Sequence, residues 1–388
     1  ENVTVPQCRL THISEYSRSG SWLTLTVPIG FHTSTLPWRV PTAPRLIFAA
    51  HLPPNMSLRP FLLAGIAVVV LSSCNQDLDI TAPYKENTIV YALLDKDSAI
   101  QYVKINKAFL GPDNAFIYAQ VPDSTEYQDG QLQAEIQEVM NGTVVNTYAL
   151  RDTLLPHDPG TFAGPMHKLY YFNAVLDASA TYRLEATAKG NHVSAETPIV
   201  GEIQPSGTII SPAQPLNFRS VFNTYANQTI KWTSSVNGKR YEISYRFNWD
   251  DVVGTDTIPR SFTRSIGTYV ANGTGGGENM EAPFQGESFF ETVGQLTGDN
   301  PAATSRIYRG VDIIWAVAGP DLHLYLQLNS PISGLVEDRP SYTNVANGFG
   351  LFTTRRFREI HKAYLGSTTV PELLEGQYTV GLGFVYVY

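Results

Sequence analysis

The stretch Gln131–Leu150, QLQAEIQEVMNGTVVNTYAL, decides the predicted fold. Apolar and polar residues alternate from Leu132 to Gln137, which is the period of a β-strand that has one face on a core and the other in water. Asn141-Gly142 then separates this run from Thr143–Leu150. Asn-Gly is the strongest short signal for a hairpin, because both central residues of a type I′ turn need a positive φ. The stretch therefore predicts a β-hairpin.

Strand patterns continue on both sides of this hairpin, so the first half of the folded chain is predicted to be nearly all β. Seven short strands over about 110 residues are typical of an immunoglobulin-like β-sandwich. The Cys pair and core Trp of antibody domains are lacking, so the prediction concerns architecture only. We assign this domain to residues 86–200. The five predicted strands outside the hairpin are Thr88–Leu94, Ile100–Ile105, Lys168–Leu176, Thr181–Thr187 and His192–Pro198.

Residues 201–215 contain three prolines and two glycines and are predicted to be a linker. A second β-rich α+β domain is expected over residues 216–388, with one or two short helices. Asn237-Gly238 predicts another hairpin turn, and Gln285–Leu296 has helical spacing. Asp321–Leu328 alternates like a strand, yet Pro320 favours a helix start, so we favour a short helix. The predicted strands are Thr229–Thr233, Arg240–Asn248, Thr257–Ser265, Ile307–Val317, Gly348–Thr353 and Tyr378–Tyr388.

An export signal is predicted ahead of these domains, at residues 56–73. Arg59 precedes the apolar run Phe61–Leu71, which is 11 residues long, whereas a membrane-spanning helix needs about 20. The run ends in Leu71-Ser72-Ser73-Cys74, which resembles the lipobox of bacterial lipoproteins. The resemblance implies cleavage between Ser73 and Cys74 and a lipid on the Cys74 thiol. The alternative is a buried apolar strand with a chance cysteine.

The segments around this signal are predicted to lie outside the folded domains. Residues 1–55 precede the signal, contain no Lys or Asp, and show no lasting period, so we expect a disordered, non-native upstream leader and a true start at Met56. The alternative is a long cytoplasmic leader. Residues 74–85 are expected to be a lipidated tether. Its acidic start, Asn75–Asp79, resembles the surface-export tethers of Bacteroidota lipoproteins.

Charge and cysteine content exclude two classes of function. The chain has 27 basic and 35 acidic residues and a net charge of −8, so it lacks the basic surface that nucleic acid requires. Cys8 and Cys74 are its two cysteines. If Cys8 is removed with the leader and Cys74 carries lipid, the mature protein has no disulfide and no thiol site. The sequence predicts no cofactor.

Two groups of residues could supply chemistry. His157 and His167 share a Pro- and Gly-rich loop, where a metal site competes with a plain exposed loop, and the loop is favoured because zinc sites group Cys and His more tightly. Asp250 and Asp251 follow Trp249 and could form the carboxylate pair of a glycosidase. Neighbouring side chains on a strand point to opposite faces, so we favour a turn at these residues.

Two further stretches look like anion sites at first. Asn272–Glu278 is rich in glycine but lacks the Lys-Ser/Thr of a P-loop, so a flexible connection is predicted. Arg355, Arg356 and Arg358 form a basic cluster that could bind a carboxylate or phosphate. A solvated face that pairs with the protein's own acids is the expected role.

The stretch Tyr342–Phe352, YTNVANGFGLF, resembles a signature of uncharacterised Bacteroidota outer-membrane lipoproteins. These proteins also have a strand similar to Tyr182–Ala188. The resemblance implies an outer-membrane lipoprotein, often encoded beside TonB-dependent transporters, with no established activity and no catalytic residue. A tight turn entering a strand is the expected role of the signature, with Val345, Leu351 and Phe352 packed inward. Its signature residues are Tyr342, Asn344, Asn347, Gly348, Gly350 and Phe352.

These observations predict an outer-membrane lipoprotein that acts as a non-catalytic binding or accessory module on the periplasmic or cell-surface face. Its acyl chains on Cys74 would contact the bilayer, and an outer-membrane transporter or a surface glycan or peptide is the expected partner. One alternative is a surface glycan or peptide hydrolase that uses Asp250 and Asp251 or the His157/His167 loop. The other is a structural surface or assembly protein. The binding function is favoured because no motif positions an acid and a base together.

Overall fold

The computed structural model describes residues 86–109, 114–207, 211, 213–298, 300–330 and 341–387. The predicted leader, signal peptide and tether all lie outside these residues, and so do Ser73 and Cys74. No helix in the described ranges is both long enough and apolar enough to cross a membrane.

Sixteen strands and five short helices make up the described chain, so the prediction of a mainly β protein is confirmed. The strands are β1 Thr88–Asp95, β2 Ile100–Lys107, β3 Leu132–Met140, β4 Thr143–Ala149, β5 Arg151–Pro156, β6 Met166–Asn173, β7 Thr181–Ala188, β8 Asn191–Pro198, β9 Gln204–Ser206, β10 Gln228–Thr233, β11 Arg240–Val253, β12 Asp256–Val270, β13 Asn279–Phe284, β14 Ser305–Ala318, β15 Phe349–Lys362 and β16 Phe384–Val385. The helices are α1 Ala115–Ala119, α2 Pro122–Thr125, α3 Gly286–Leu296, α4 Pro320–Leu328 and α5 Val370–Glu375.

The strands form three sheets. The largest has nine strands in the order β12-β11-β14-β15-β1-β2-β6-β5, with β16 paired to β14. A four-stranded sheet has the order β4-β3-β7-β8, and a three-stranded sheet has the order β13-β10-β9. The hairpin β3–β4 turns at Asn141 and Gly142, whose φ values of 51° and 78° are those that the Asn-Gly sequence predicts.

We call strands β1–β8 the first half of the structure. They form a β-sandwich around their own core. Strands β1, β2 and β6 of the large sheet face the four-stranded sheet, and alternate residues of both fill the space between them, such as Val90, Ile105, Ile136 and Leu184. Strands β9–β16 and the helices among them are the second half, which has a separate core rich in aromatic residues. Strands β11 and β14 contribute Phe247 and Trp315 to it, and α3 packs against the same core through Phe289 and Phe290.

Strand β15 connects the two halves within one sheet. Its first residues pair in parallel with β1, from Ile89 opposite Phe349 to Asp95 opposite Arg355, and its last residues pair with β14. Phe352 accordingly belongs to the first core, whereas Ile360 packs against the second. The large sheet thus draws strands from both sides of the predicted linker.

The described part of the predicted linker is held by hydrogen bonds. Gly201 N–H donates to Val236 O at 2.8 Å, and residues 204–206 form β9. The buried Lys362 ammonium at the end of β15 donates to the carbonyls of Ser211 and Gln214, and burial lowers its pKa. The domain limits themselves remain a prediction.

Three local predictions differ from the structure. Asn237 has the positive φ of a turn, but β10 and β11 lie in different sheets, so residues 237–238 do not form the predicted hairpin. The sequence predicts a strand over Tyr378–Tyr388, whereas within residues 378–387, the part that the structure describes, only Phe384–Val385 forms a strand. Asp250 and Asp251 do not lie at a turn, because β11 continues to Val253. The sequence patterns also did not predict β5, β9, β13, α1, α2 and α5.

Candidate functional site

The outer face of the nine-stranded sheet carries a cluster of charged and polar residues where β11, β14 and β15 lie side by side. Residues with odd numbers in β11, such as Phe247, point into the second core, so Arg246 and Asn248 point to the opposite face. Asp312 of β14 is flanked by Arg246 on one side and His361 on the other. We call these residues the Asp312 cluster: Arg246, Asn248, Asp312, Glu359 and His361.

Asp312 lies at the centre of the cluster and is only 3% exposed. One carboxylate oxygen accepts hydrogen bonds from Arg246 Nε and Asn248 Nδ2, both at 2.8 Å, and forms an ion pair with Arg246 Nη2 at 2.7 Å. The other oxygen accepts from His361 Nδ1 at 2.5 Å. A buried carboxylate is costly unless it is both paired and hydrogen-bonded, and Asp312 satisfies both conditions.

The His361 ring is held at Nδ1 by a hydrogen bond and packs against Gly310. Its Nδ1–H donates to Asp312, which leaves Nε2 directed away from that carboxylate, and the side chain is 52% exposed. The ring lies over Gly310, where φ is +117° and an added Cβ would come within 2.5 Å of His361 Cε1. Glycine at position 310 therefore leaves room for the His361 ring.

Glu359 occupies the same face, two residues before His361. Its carboxylate accepts from Arg246 Nη2 at 2.5 Å, and its side chain is 45% exposed. Partial burial of the Glu359 carboxyl raises its pKa, although the positive charge of Arg246 opposes this shift. The cluster thus presents two partly exposed side chains, those of Glu359 and His361, in positions that its ion pairs and hydrogen bonds fix.

This arrangement can bind a ligand that offers hydrogen-bond donors, and His361 could also accept a proton. In the described part of the chain, the side-chain hydrogen bond of His361 is the one to Asp312. The sequence patterns did not single out this cluster. The available signal was an acid, Asp312, within the apolar run Ile307–Val317.

Asp250 and Asp251 have separate partners. Asp250 binds Arg309 Nε at 2.7 Å on the outer face. Asp251 is buried beside Arg306, at 3.2 Å, and accepts from Trp249 Nε1 at 3.0 Å and from Asn300 Nδ2 at 2.8 Å. Burial would raise the pKa of Asp251, but these hydrogen bonds and the arginines lower it overall. The two carboxylates do not converge on one site, as strand alternation requires.

His157 and His167 are neighbours, with ring centroids 5.0 Å apart. Both ring nitrogens of His157 contact backbone carbonyls, Nδ1 that of Asp158 at 2.7 Å and Nε2 that of Ala163 at 2.6 Å. Burial, together with Lys104, lowers the pKa of His167 to about 4. Throughout the described ranges, no group of three or more His, Cys, Asp or Glu side chains is placed to hold a metal ion.

The glycine-rich loop and Arg356 of the arginine cluster form hydrogen bonds with other groups of the protein. The Glu278 carboxylate accepts from the N–H and Nδ2 of Asn272, both at 2.7 Å, so the loop closes on itself. Arg356 forms a bidentate pair with Asp97, at 2.9 and 3.1 Å. The Arg355 guanidinium lies 5.1 Å from the centre of the Phe357 ring. Arg356 is therefore paired with an acid of the protein itself.

The signature Tyr342–Phe352 attaches the returning chain to the first half. The side chain of Asn344 bonds the backbone of Phe352 in both directions, at 2.7 and 2.9 Å, and Asn347 Nδ2 donates to His192 O at 3.3 Å. Tyr342 OH donates to Asp321 at 2.5 Å. Gly348 and Gly350 lie against the backbone of β1, where an added Cβ would collide with Thr88 O and Val90 O. Val345, Leu351 and Phe352 are buried.

No family model matches the chain, and no curated protein matches it either.

Proposed function

We propose that this protein is an outer-membrane lipoprotein, held by a lipid on Cys74, that acts as a non-catalytic binding or accessory module. The anchor is supported by the sequence alone, through the signal pattern 56–73 and the lipobox-like Leu71–Cys74. The Asp312 cluster is the proposed ligand contact. An outer-membrane transporter is the partner that the signature at Tyr342–Phe352 supports, and a surface glycan or peptide is the other candidate.

One observation supports the binding function: ion pairs and hydrogen bonds within the protein hold the members of the Asp312 cluster in place. Asp312 holds Arg246 and His361, and Arg246 in turn holds Glu359. When the protein's side chains are already fixed in place, binding a ligand costs less conformational entropy than when binding must order them. A hydrolase that acts through a covalent intermediate would need, in addition, an activated nucleophile.

The test is a mild-detergent pull-down with the lipidated protein, followed by identification of the retained proteins and glycans. We expect one outer-membrane partner to be retained by the wild type and lost by the double variant His361→Ala/Glu359→Gln. Arg358→Gln is the matched control, because Arg358 lies on the same strand but alternates to the opposite face. A partner retained equally by all three proteins would exclude the cluster as the contact.

The hydrolase alternative is favoured by one specific feature, the hydrogen bond between His361 Nδ1 and Asp312. This bond leaves Nε2 able to accept a proton, as in a general base. If the alternative is correct, the purified protein hydrolyses a peptide or glycan, and His361→Ala abolishes the reaction. Hydrolysis that is lost instead in Asp250→Asn or His157→Ala would place the site at the residues first considered from the sequence.

A further inference from the structure

Residues 114–122 expose several apolar side chains at one end of the first half, and we call this segment the α1 tip. Its sequence, NAFIYAQVP, contains helix α1 and no charged residue. Phe116 and Ile117 are 67% and 61% exposed, and Val121 is exposed as well. Leaving such side chains in water is unfavourable, and a group of them on the surface is typical of a site that contacts a membrane or another protein.

Hydrogen bonds attach Phe162 to the same tip. Ala163 N–H donates to Ala119 O at 3.0 Å, and the side-chain amide of Gln120 donates to Thr161 O. Phe162 lies between these two contacts and is exposed. The apolar surface therefore comes from two separate segments of the chain that hydrogen bonds hold together.

The α1 tip lies at the end of the sandwich where the described chain begins. Strand β1 starts at Thr88, which pairs with Lys107 at the end of β2. The Tyr127 hydroxyl is hydrogen-bonded to Thr88 Oγ1 at 2.9 Å, so the chain is held at Thr88 both before and after the tip. Glu86, two residues before β1, is therefore at the same end of the sandwich as the tip.

The predicted tether joins the described structure at this end. Glu86 lies 12 positions after Cys74. An extended chain spans at most about 3.5 Å per residue, so a lipid on Cys74 keeps Glu86 within about 40 Å of the bilayer. A surface tethered at such a distance meets the membrane at a high effective concentration.

We infer that the α1 tip inserts into the surface of the bilayer that holds the Cys74 lipid, an inference that rests on the proposed anchor. The inserted side chains enter the boundary between headgroups and acyl chains, where apolar groups leave water. They are Phe116, Ile117, Val121 and Phe162. A bilayer is favoured over a protein partner because the tether already holds this end of the sandwich near it.

The charges around the tip determine how it binds. Asp123 and Asp158 border the apolar residues and are exposed, and a carboxylate is costly to place within a bilayer, so insertion is shallow. The tip itself carries no charge, so its insertion needs no anionic lipid and should not weaken as salt is raised.

Fluorescence quenching in vesicles tests this inference with the lipidated protein. Cleavage before Cys74 removes Cys8, and lipid occupies the Cys74 thiol, so an introduced cysteine is the one thiol that can be labelled. Ile117→Cys receives an environment-sensitive fluorophore, and the protein is placed in phosphatidylcholine vesicles whose acyl chains carry a nitroxide. We expect a blue shift of the emission and quenching by the nitroxide, both unchanged at high salt.

Val175→Cys is the matched control, because Val175 is 81% exposed at the opposite end of the sandwich. The preceding Ala174 N–H donates to Ala99 O, beyond the far end of β1. The eight residues of β1 separate the two ends by about 25 Å. A label on Val175→Cys should show neither the blue shift nor the quenching.

Three results would overturn the inference. Protein that floats with the vesicles while the label at position 117 is quenched no more than the label at position 175 would leave the anchor standing without the insertion. A blue shift without quenching would assign the α1 tip to a protein contact, with a second copy or another partner. Protein that does not float with the vesicles would remove the proposed anchor and the insertion together.

Discussion

At the scale of single residues, Asp312 depends on groups that are far apart in the chain. Arg246 lies 66 positions before it, and His361 lies 49 positions after it. A buried carboxylate that loses one partner is left with an uncompensated charge, which costs about 3–5 kcal/mol. Asp312 therefore stabilises the junction of β11, β14 and β15 while it fixes the exposed groups of the proposed site.

Gly310 is the residue that lets His361 occupy its position, and Gly310→Ala tests this role. The new Cβ would need a φ that L-residues rarely adopt and would displace the His361 ring. We expect a loss of about 3 kcal/mol in the free energy of unfolding, measured with urea. Gly254→Ala is the control, because φ is +61° there and no atom lies within 4 Å of the added Cβ. It should cost only about 1 kcal/mol. Equal losses would show that His361 does not press on this glycine.

At the scale of elements, the sequence predicted what depends on local pattern. The hairpin Leu132–Ala149 and helix Gly286–Leu296 follow from alternation, an Asn-Gly turn and helical spacing, and the structure contains both. Pairing between distant strands cannot be read from such patterns. Asn237-Gly238 has turn chemistry, yet the strands it separates join different sheets. The Asp312 cluster was missed for the same reason, because the register of three strands brings its members together.

Strand β15 is predicted to stabilise the first core through Phe352, which is fully buried. Phe352→Ala should lower the free energy of unfolding by about 3–5 kcal/mol, the usual cost of removing a core phenylalanine. Phe357 lies five residues later on the same strand and is 42% exposed. Phe357→Ala should cost less than about 1 kcal/mol. Chemical denaturation followed by circular dichroism checks both values, and similar losses in the two variants would contradict the assignment of Phe352 to the core.

At the scale of the whole molecule, two cores share one sheet. The first core includes Phe352 from β15, and the nine-stranded sheet continues from β1 through β15 into the second half. Such a sheet couples the halves, because unfolding of the first half removes the neighbour of β15. The composition of residues 201–215 suggested a linker, but composition does not report the pairing of β1 with β15.

Tryptophan fluorescence can measure this coupling, since Trp232, Trp249 and Trp315 all lie in the second core. In the chain from residue 75 onward, Phe352→Ala removes a side chain from the first core only. We expect the fluorescence transition to move to lower urea concentration together with the circular dichroism transition. An unchanged fluorescence midpoint would show that the halves unfold independently.

The anchor on Cys74 is the central claim of the proposed function, and the mass of the N-terminal peptide of the mature protein tests it most directly. We predict that protein from the membrane fraction begins at Cys74 and carries at least two acyl chains, because one chain binds a bilayer only marginally. Cys74→Ala should release the protein into the soluble fraction, whereas Cys8→Ala should leave it on the membrane. An unmodified peptide that spans residues 73 and 74 in the mature protein would contradict the account.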